Sequence, residues 1–324
     1  MKLTKKQAEL ISSEYNLGKI QSLKPIVGGW VNYNYELKTD KGKFVVRLLG
    51  AKIEKEIRNR LFIEFKLLSH LHKIKFPYEI PYPLKNKGGS YLINIKKTFL
   101  WVYPYIEGYQ IRDWDNTTIK SVVKALATYH KYVENVRIRN IREVDSLKET
   151  SKKYEEMRKQ KPNNSVNKLM LENLGFFEES LKKVEKIKFN TKNVPVHYDF
   201  HKGNLLFDKK KVVGILDFER LLYTPRILDI AYLIKCTYEK DESKFVKRVN
   251  FIVKEYEKIN SLTKKEKDLI LPMLVRDNCR MFERFYTLLG LENKKISRGN
   301  LSCLKWTIEV QRLIINVLGW GIKE

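Results

Sequence analysis

Residues 196–219 read VHYDFHKGNLLFDKKKVVGILDFE, and the fold turns on how this stretch is taken. It holds two of the chain's five histidines, three aspartates and one asparagine between short apolar runs. It is either a pair of buried strands joined by a solvated turn or a loop that carries chemistry. If Val194 to Val196 ends one strand and Leu205 to Phe207 begins another, residues 197–204 form a loop whose polar groups are not all consumed by a ladder. Asp208 to Lys211 then reads as a turn that sends the chain back through VVGIL and returns Asp217 beside Asn204. An amide and a carboxylate brought together present hard oxygen ligands, the kind Mg²⁺ prefers when it also binds substrate phosphates. Asp199 is then suited to orient or deprotonate an attacking hydroxyl without ligating the metal. Taken singly, each of these residues is as readily a cap on nearby backbone. The set H-x-D-x-H-x-x-N followed by I-L-D-F-E is far more restrictive than its parts. A zinc site on His197 and His201 lacks a third ligand of suitable type nearby.

Upstream of this segment, YNYELKTDKGKFVVRLL gives two strand-like runs around Asp40-Lys41-Gly42, a hairpin signal. Residues 52 to about 75 carry Ile57, Leu61, Phe65, Leu68 and Leu71 at helical spacing. Pro77, Pro81 and Pro83 forbid a helix, and SYLINIK and TFLWVYPYI close a small sheet. From Asn116 the pattern turns helical: one amphipathic helix through Ile119, Val122, Leu126 and Tyr129, then one or two more across 146–187. Downstream, Thr224-Pro225 places a capping hydroxyl and a first-turn proline ahead of RILDIAYLIKCTY. Thr263 with Glu266 is a capping box before a long helix, and Leu301 to Leu313 mark a final one. The expected division is a nucleotide-binding lobe over 1–104 and a catalytic and substrate-binding lobe over 105–324, with the cleft of such an arrangement as the natural ligand site.

The bulk numbers narrow the classes. A chain of 324 residues with 43% hydrophobic content supports a sizeable core. No run approaches the roughly 18 uninterrupted apolar residues of a membrane span, so no membrane partner is expected. Cys236, Cys279 and Cys303 are odd in number and scattered, which suits neither a disulfide framework nor paired zinc ligands and points to a reducing cytoplasm. Lys and Arg total 64 against 38 acidic residues, a formal charge of +26 that favours anionic partners. Most of the lysines alternate with glutamate along helical stretches such as SKKYEEMRKQK, the pattern of solvated faces rather than of a nucleic-acid arm. No groove-reading motif accompanies them, so a nucleic-acid partner is disfavoured.

VHYDFHKGNLLF followed by VVGILDFE resembles the catalytic loop and metal-binding segment of the aminoglycoside phosphotransferase and choline kinase group. Within that group of small-molecule kinases it looks nearest to bacterial homoserine kinases and spore-coat-type relatives. The resemblance implies an α+β, two-lobed, protein-kinase-like fold: a small N-terminal β-sheet lobe with one long helix and a larger, mainly helical C-terminal lobe. It implies Asp199 as catalytic base and Asn204 and Asp217 as Mg²⁺ ligands. His197, His201 and Glu219 become supporting residues, and Asp229 in RILDIAYL the brace of the catalytic loop. Upstream it implies a nucleotide loop at Gly28-Gly29, a phosphate-binding Arg47 where lysine is commoner, and Glu64 in the next helix as its carboxylate partner. In WVYPYIEG it implies a hinge whose Pro104 carbonyl and Ile106 N–H meet adenine. Tyr198 stands where the family often has glycine, and His130 reads as a packed core histidine.

The expected activity is transfer of the γ-phosphoryl group of ATP, or GTP, with Mg²⁺, to a hydroxyl of a small molecule. Aminoglycosides are polycations and match a +26 chain poorly, so an amino alcohol, hydroxy amino acid or sugar ranks first. The rival is a non-catalytic, kinase-like binding or structural protein of the spore-coat type. Oligomeric state is not legible.

Overall fold

The computed structural model describes residues 3–27, 32–50, 55–96, 98–142, 147–162, 164–289 and 298–321. Packing divides the chain into two units: Met1–Asp113 with Arg137–Ile141 and Lys202–Arg220, and the remainder. The sequence-based division at residue 104 differs from this chiefly in leaving residues 202–220 with the helical part.

The first unit opens with α1 (Lys5–Glu14), capped by Thr4 and Gln7 in a reciprocal box. Strands β1 (Ile20–Ile26), β2 (Tyr33–Thr39) and β3 (Gly42–Leu48) follow, then α2 (Lys55–Lys73), β4 (Ile93–Ile95) and β5 (Thr98–Pro104). The five strands form one antiparallel sheet in the order β1-β2-β3-β5-β4, and the expected hairpin turns where Thr39 pairs with Gly42. Strand alternation assigns its two faces. Val46 and Leu48 lie in the cluster with Ala8 and Ile11 of α1 and with Tyr15, its C-cap. Val45 and Leu49 lie with Leu61 and Phe65 of α2 and with Trp101. Arg47 shares the register of Val45 and Leu49, so it belongs to the α2 side.

The chain then builds the second unit with α3 (Asn116–Val133), α4 (Leu147–Arg158), α5 (Ser165–Glu185) and the short strand β6 (Asn193–Val196). After His201 it returns to the first unit as the hairpin β7 (Leu205–Asp208) and β8 (Lys211–Ile215). It ends in the second unit with β9 (Leu222–Pro225), α6 (Ile227–Cys236), α7 (Glu242–Glu257), α8 (Lys264–Leu289) and α9 (Arg298–Val317). β6 pairs with β9 and β7 with β8, so the strands on either side of the 197–204 loop do not pair with each other. Helix α8 packs against α5, α6 and α9, with Phe282 stacked on Phe177 at 3.9 Å.

One expectation about a helix start is corrected. Thr224 and Pro225 are the last residues of β9, and α6 begins at Ile227 behind Arg226, which makes no side-chain cap. Pairing of Asn193 with Pro225 and Val194 with Thr224 consumes the two residues as strand. Thr263 and Glu266 do form the expected box at the start of α8. Among the described residues no helix is long and apolar enough to cross a membrane.

Candidate active site

In the first unit the centre of charge is Arg47. Its guanidinium donates to Glu219 Oε2 at 2.9 Å and to Asp217 Oδ1 at 3.2 Å, with Trp101 across the strand pair 6.0 Å from its carbon centre. Burial works against its charge, but Asp217, Glu64 and Glu219 more than offset that and hold it protonated. The expected partner Glu64 is 2% exposed and senses Arg47, yet among the described residues it makes no ion pair with it, and its Oε1 is buried without a hydrogen-bond partner. Burial first, against the pull of Arg47, pushes the Glu64 carboxyl up to about 8, so it is mostly protonated at neutral pH. Asn32 donates to the same Glu219 oxygen at 3.1 Å.

The hairpin brings the two candidate metal ligands together, because the Leu216 N–H donates to the Asn204 carbonyl at 2.8 Å. Asp217 sits at φ +63°, a left-handed backbone that aspartate tolerates better than most residues. One amide and one carboxylate fit Mg²⁺ as a donor set. Asp217 is at present the partner of Arg47, which puts the candidate phosphate cation and a candidate metal ligand within one cluster. Among the described residues no group of three histidines, cysteines or carboxylates is disposed to hold a metal ion. Next to the hairpin, the 105–110 segment runs close to its backbone: Tyr109 bridges to Phe207, and a Cβ on Gly214 would lie 2.8 Å from Ile106 Cγ2. Pro104 closes β5, Ile106 is buried, and the Ile106 N–H donates to no acceptor among the described residues. Gly28 and Gly29 lie outside the described residues.

In the second unit the loop after β6 is held by a buried carboxylate on α6. Asp229, fully buried on α6, accepts the His197 N–H at 2.8 Å and the Tyr198 N–H at 2.7 Å through its two oxygens. His130 approaches Asp229 at 3.0 Å and Tyr256 at 2.8 Å, so it is a core histidine that fixes the brace. The Asp199 N–H donates to His197 Nδ1 at 3.2 Å, and the Asp199 carbonyl accepts the His201 N–H at 3.0 Å. The Asp199 carboxylate faces His201 Nε2 at 3.6 Å and the Tyr232 hydroxyl at 3.4 Å, with its side chain 14% exposed. A partly desolvated carboxylate with an imidazole and a phenol nearby is suited to orient a hydroxyl. Tyr198 adopts φ +58°, the conformation a glycine takes freely and a bulky residue takes at a cost on the order of 1–3 kcal/mol.

This geometry coincides with a family pattern. The sequence model of the phosphotransferase enzyme family, APH, matches residues 22–251. The chain belongs to that family. Among curated proteins, this APH-family chain is 25% identical over 331 residues to the homoserine kinase of Agrobacterium fabrum, covering 99% of this chain and 97% of that one. It is 26% identical over 233 residues to the homoserine kinase of Methylobacillus flagellatus, covering 68% and 65%. Among solved structures, spectinomycin phosphotransferase in complex with ADP and spectinomycin superposes with a TM-score of 0.69 at 17% identity, over 97% of this chain and 98% of that one. A microcompartment-associated aminopropanol kinase gives 0.67 at 10%, over 97% of each chain. These likenesses carry the protein-kinase-like fold, and the family assignment makes the protein a small-molecule phosphotransferase.

Sequence reasoning did not find Tyr232 or Asn32 as members of the two clusters; LVRDNCRMFERFY reads in sequence as part of the region that chooses the acceptor, and in the structure its Asp277 accepts from the Tyr198 hydroxyl at 2.6 Å. Tyr232 and Asp277 sit in the periodic patterns of α6 and α8, which mark core positions and say nothing of which loop they reach.

Proposed function

We propose that this APH-family phosphotransferase transfers the γ-phosphoryl group of ATP to a hydroxyl of a small amino alcohol or hydroxy amino acid. Asp199 orients and deprotonates the hydroxyl. Asn204 and Asp217 hold Mg²⁺, which when bound neutralises phosphate charge. Arg47 binds phosphate oxygens and the Ile106 N–H donates to the base. Asp229 fixes the backbone ahead of Asp199, with His197 and His201 completing the loop. Such a site works by positioning and electrostatics, since the phosphoryl group in flight needs little covalent help. Gly28 and Gly29 suit the approach of backbone to phosphate. A cytoplasmic location agrees with three free cysteines.

The observation that carries the reading is the braced loop itself: two backbone N–H groups on one buried carboxylate, immediately ahead of a partly exposed Asp199. Support for the acceptor class comes from the homoserine kinases and from the aminopropanol kinase fold, and support for a nucleotide from the ADP in the spectinomycin phosphotransferase structure. The test is ADP release with Mg²⁺-ATP, and then Mg²⁺-GTP, against homoserine, aminopropanol, sugars and an aminoglycoside. Acceptor-stimulated release that disappears in a folded Asp199→Ala variant is the expected result. Undiminished turnover in that variant removes Asp199 from the chemistry. No release with any acceptor, together with no thermal shift on adding nucleotide and Mg²⁺, favours the non-catalytic binding protein.

A further inference from the structure

Tyr198 is an expensive residue for its position. Its φ is +58°, its side chain is 3% exposed, and glycine would adopt the same backbone without steric cost. Its phenol nonetheless makes a specific bond, donating to Asp277 Oδ1 on α8 at 2.6 Å. Asp277 is 2% exposed and its other oxygen is buried without a partner, so the phenol is the group that satisfies this carboxylate. The same residue donates its N–H to Asp229 on α6 at 2.7 Å. The Tyr198 ring also packs 6.2 Å from the ring of Tyr232, whose hydroxyl lies 3.4 Å from Asp199 Oδ1.

We propose that Tyr198 is a positioning residue for Asp199: its phenol, anchored on Asp277, gives the catalytic turn a second fixed point that a glycine loop lacks. The proposal rests on the reading of Asp199 as the group that meets the acceptor hydroxyl. Asp229 fixes the backbone at 197 and 198 through α6, and Asp277 fixes the side chain through α8. The two helices pack directly on each other. With both anchors in place the turn has little freedom to rotate about Tyr198, and the Asp199 carboxylate keeps its direction between His201 and Tyr232. Small misplacements of a reacting group are costly to turnover and need not alter substrate binding.

The experiment combines kinetics with amide hydrogen exchange of the full chain. Tyr198→Phe removes the anchor alone. It is expected to lower kcat by about ten-fold or more, with KM for nucleotide and acceptor little changed, and to speed exchange of the amides of residues 198, 199 and 201. Asp277→Asn keeps an acceptor oxygen for the phenol and should retain more of kcat than Tyr198→Phe does. Because Tyr198→Phe strands a buried carboxylate, the double variant Tyr198→Phe with Asp277→Asn serves as its folded counterpart and should show the same kcat loss. Unchanged kcat in the phenylalanine variants overturns the proposal, as does a loss confined to KM. An Asp199→Asn variant with undiminished turnover overturns the reading beneath it, whereas the exchange rates decide the anchoring independently of any activity: unchanged protection at 198–201 in Tyr198→Phe means no second fixed point exists.

Discussion

Glu64 does not behave as an ordinary carboxylate. Its carboxyl is raised from 4.5 to about 8, first by burial, with Arg47 pulling it down and Glu219 and Asp217 adding to the rise. The folded protein therefore binds the Glu64 proton more tightly than the unfolded chain does. The stability this contributes is present below about 4.5 and is lost as pH rises through about 8, flat above that. Glu64→Gln holds the neutral state at every pH. Measured without added divalent cation, the variant should match the parent near pH 4.5 and exceed it in Tm by a growing margin toward pH 8; parallel Tm curves would mean that Glu64 is ionised throughout. Arg47 was singled out by the family resemblance of FVVRLL, and the helix that carries Glu64 by its periodicity. The pairing was not legible: Arg47 bonds to Asp217 and Glu219, far downstream in sequence, and no local pattern encodes which of three carboxylates wins a cation.

At the scale of elements, periodicity and turn chemistry identified most helices and strands, because burial of one face imposes a period that composition then displays. The box at Thr263 and Glu266 formed as read, and Glu266 also takes the buried Arg226 at 2.7 Å. The T-x-x-Q that opens α1 was not singled out from the sequence, though it carries the same reciprocal bonds. Thr224-Pro225 misled because a hydroxyl followed by proline also suits the end of a short edge strand. The hairpin of β7 and β8 was read correctly as a pair, but its packing on the 105–110 segment was not, since that contact depends on the absence of a side chain at one position. A Cβ at Gly214 would meet Ile106 Cγ2 at 2.8 Å, closer than side chains pack. Gly214→Ala should therefore destabilise the protein by about 1–3 kcal/mol, the usual cost of overpacking, read as a lower denaturant midpoint. On the proposed role of Ile106 it should also raise KM for the nucleotide more than it changes kcat. A variant with the parent's midpoint would show that Ile106 can turn away without cost.

For the whole molecule the unresolved quantity in the sequence was a charge of +26. Part of it is ordinary surface, as lysines such as Lys153 and Lys182 sit beside Glu156 and Glu179 one helical turn away. Such pairs are worth little to stability. The excess that remains still makes a field, and a field acts on how substrates arrive rather than on the fold. Mg²⁺-ATP is an anion, a hydroxy amino acid is a zwitterion and an aminoglycoside is a polycation, so the three should respond differently to salt. Screening shrinks the reach of surface charge from about 30 Å at 0.01 M to about 3 Å at 1 M. Across that range KM for the nucleotide should rise, KM for a zwitterionic acceptor should stay nearly level, and any KM for an aminoglycoside should fall as repulsion is removed. Steady-state kinetics with each compound varied in turn reads all three slopes. A nucleotide KM that ignores salt would mean that the lysines are locally neutralised and that the net charge has no part in recognition. An aminoglycoside KM that rises with salt would locate an acidic acceptor site within a basic molecule and reverse the ranking of acceptors that the charge suggests.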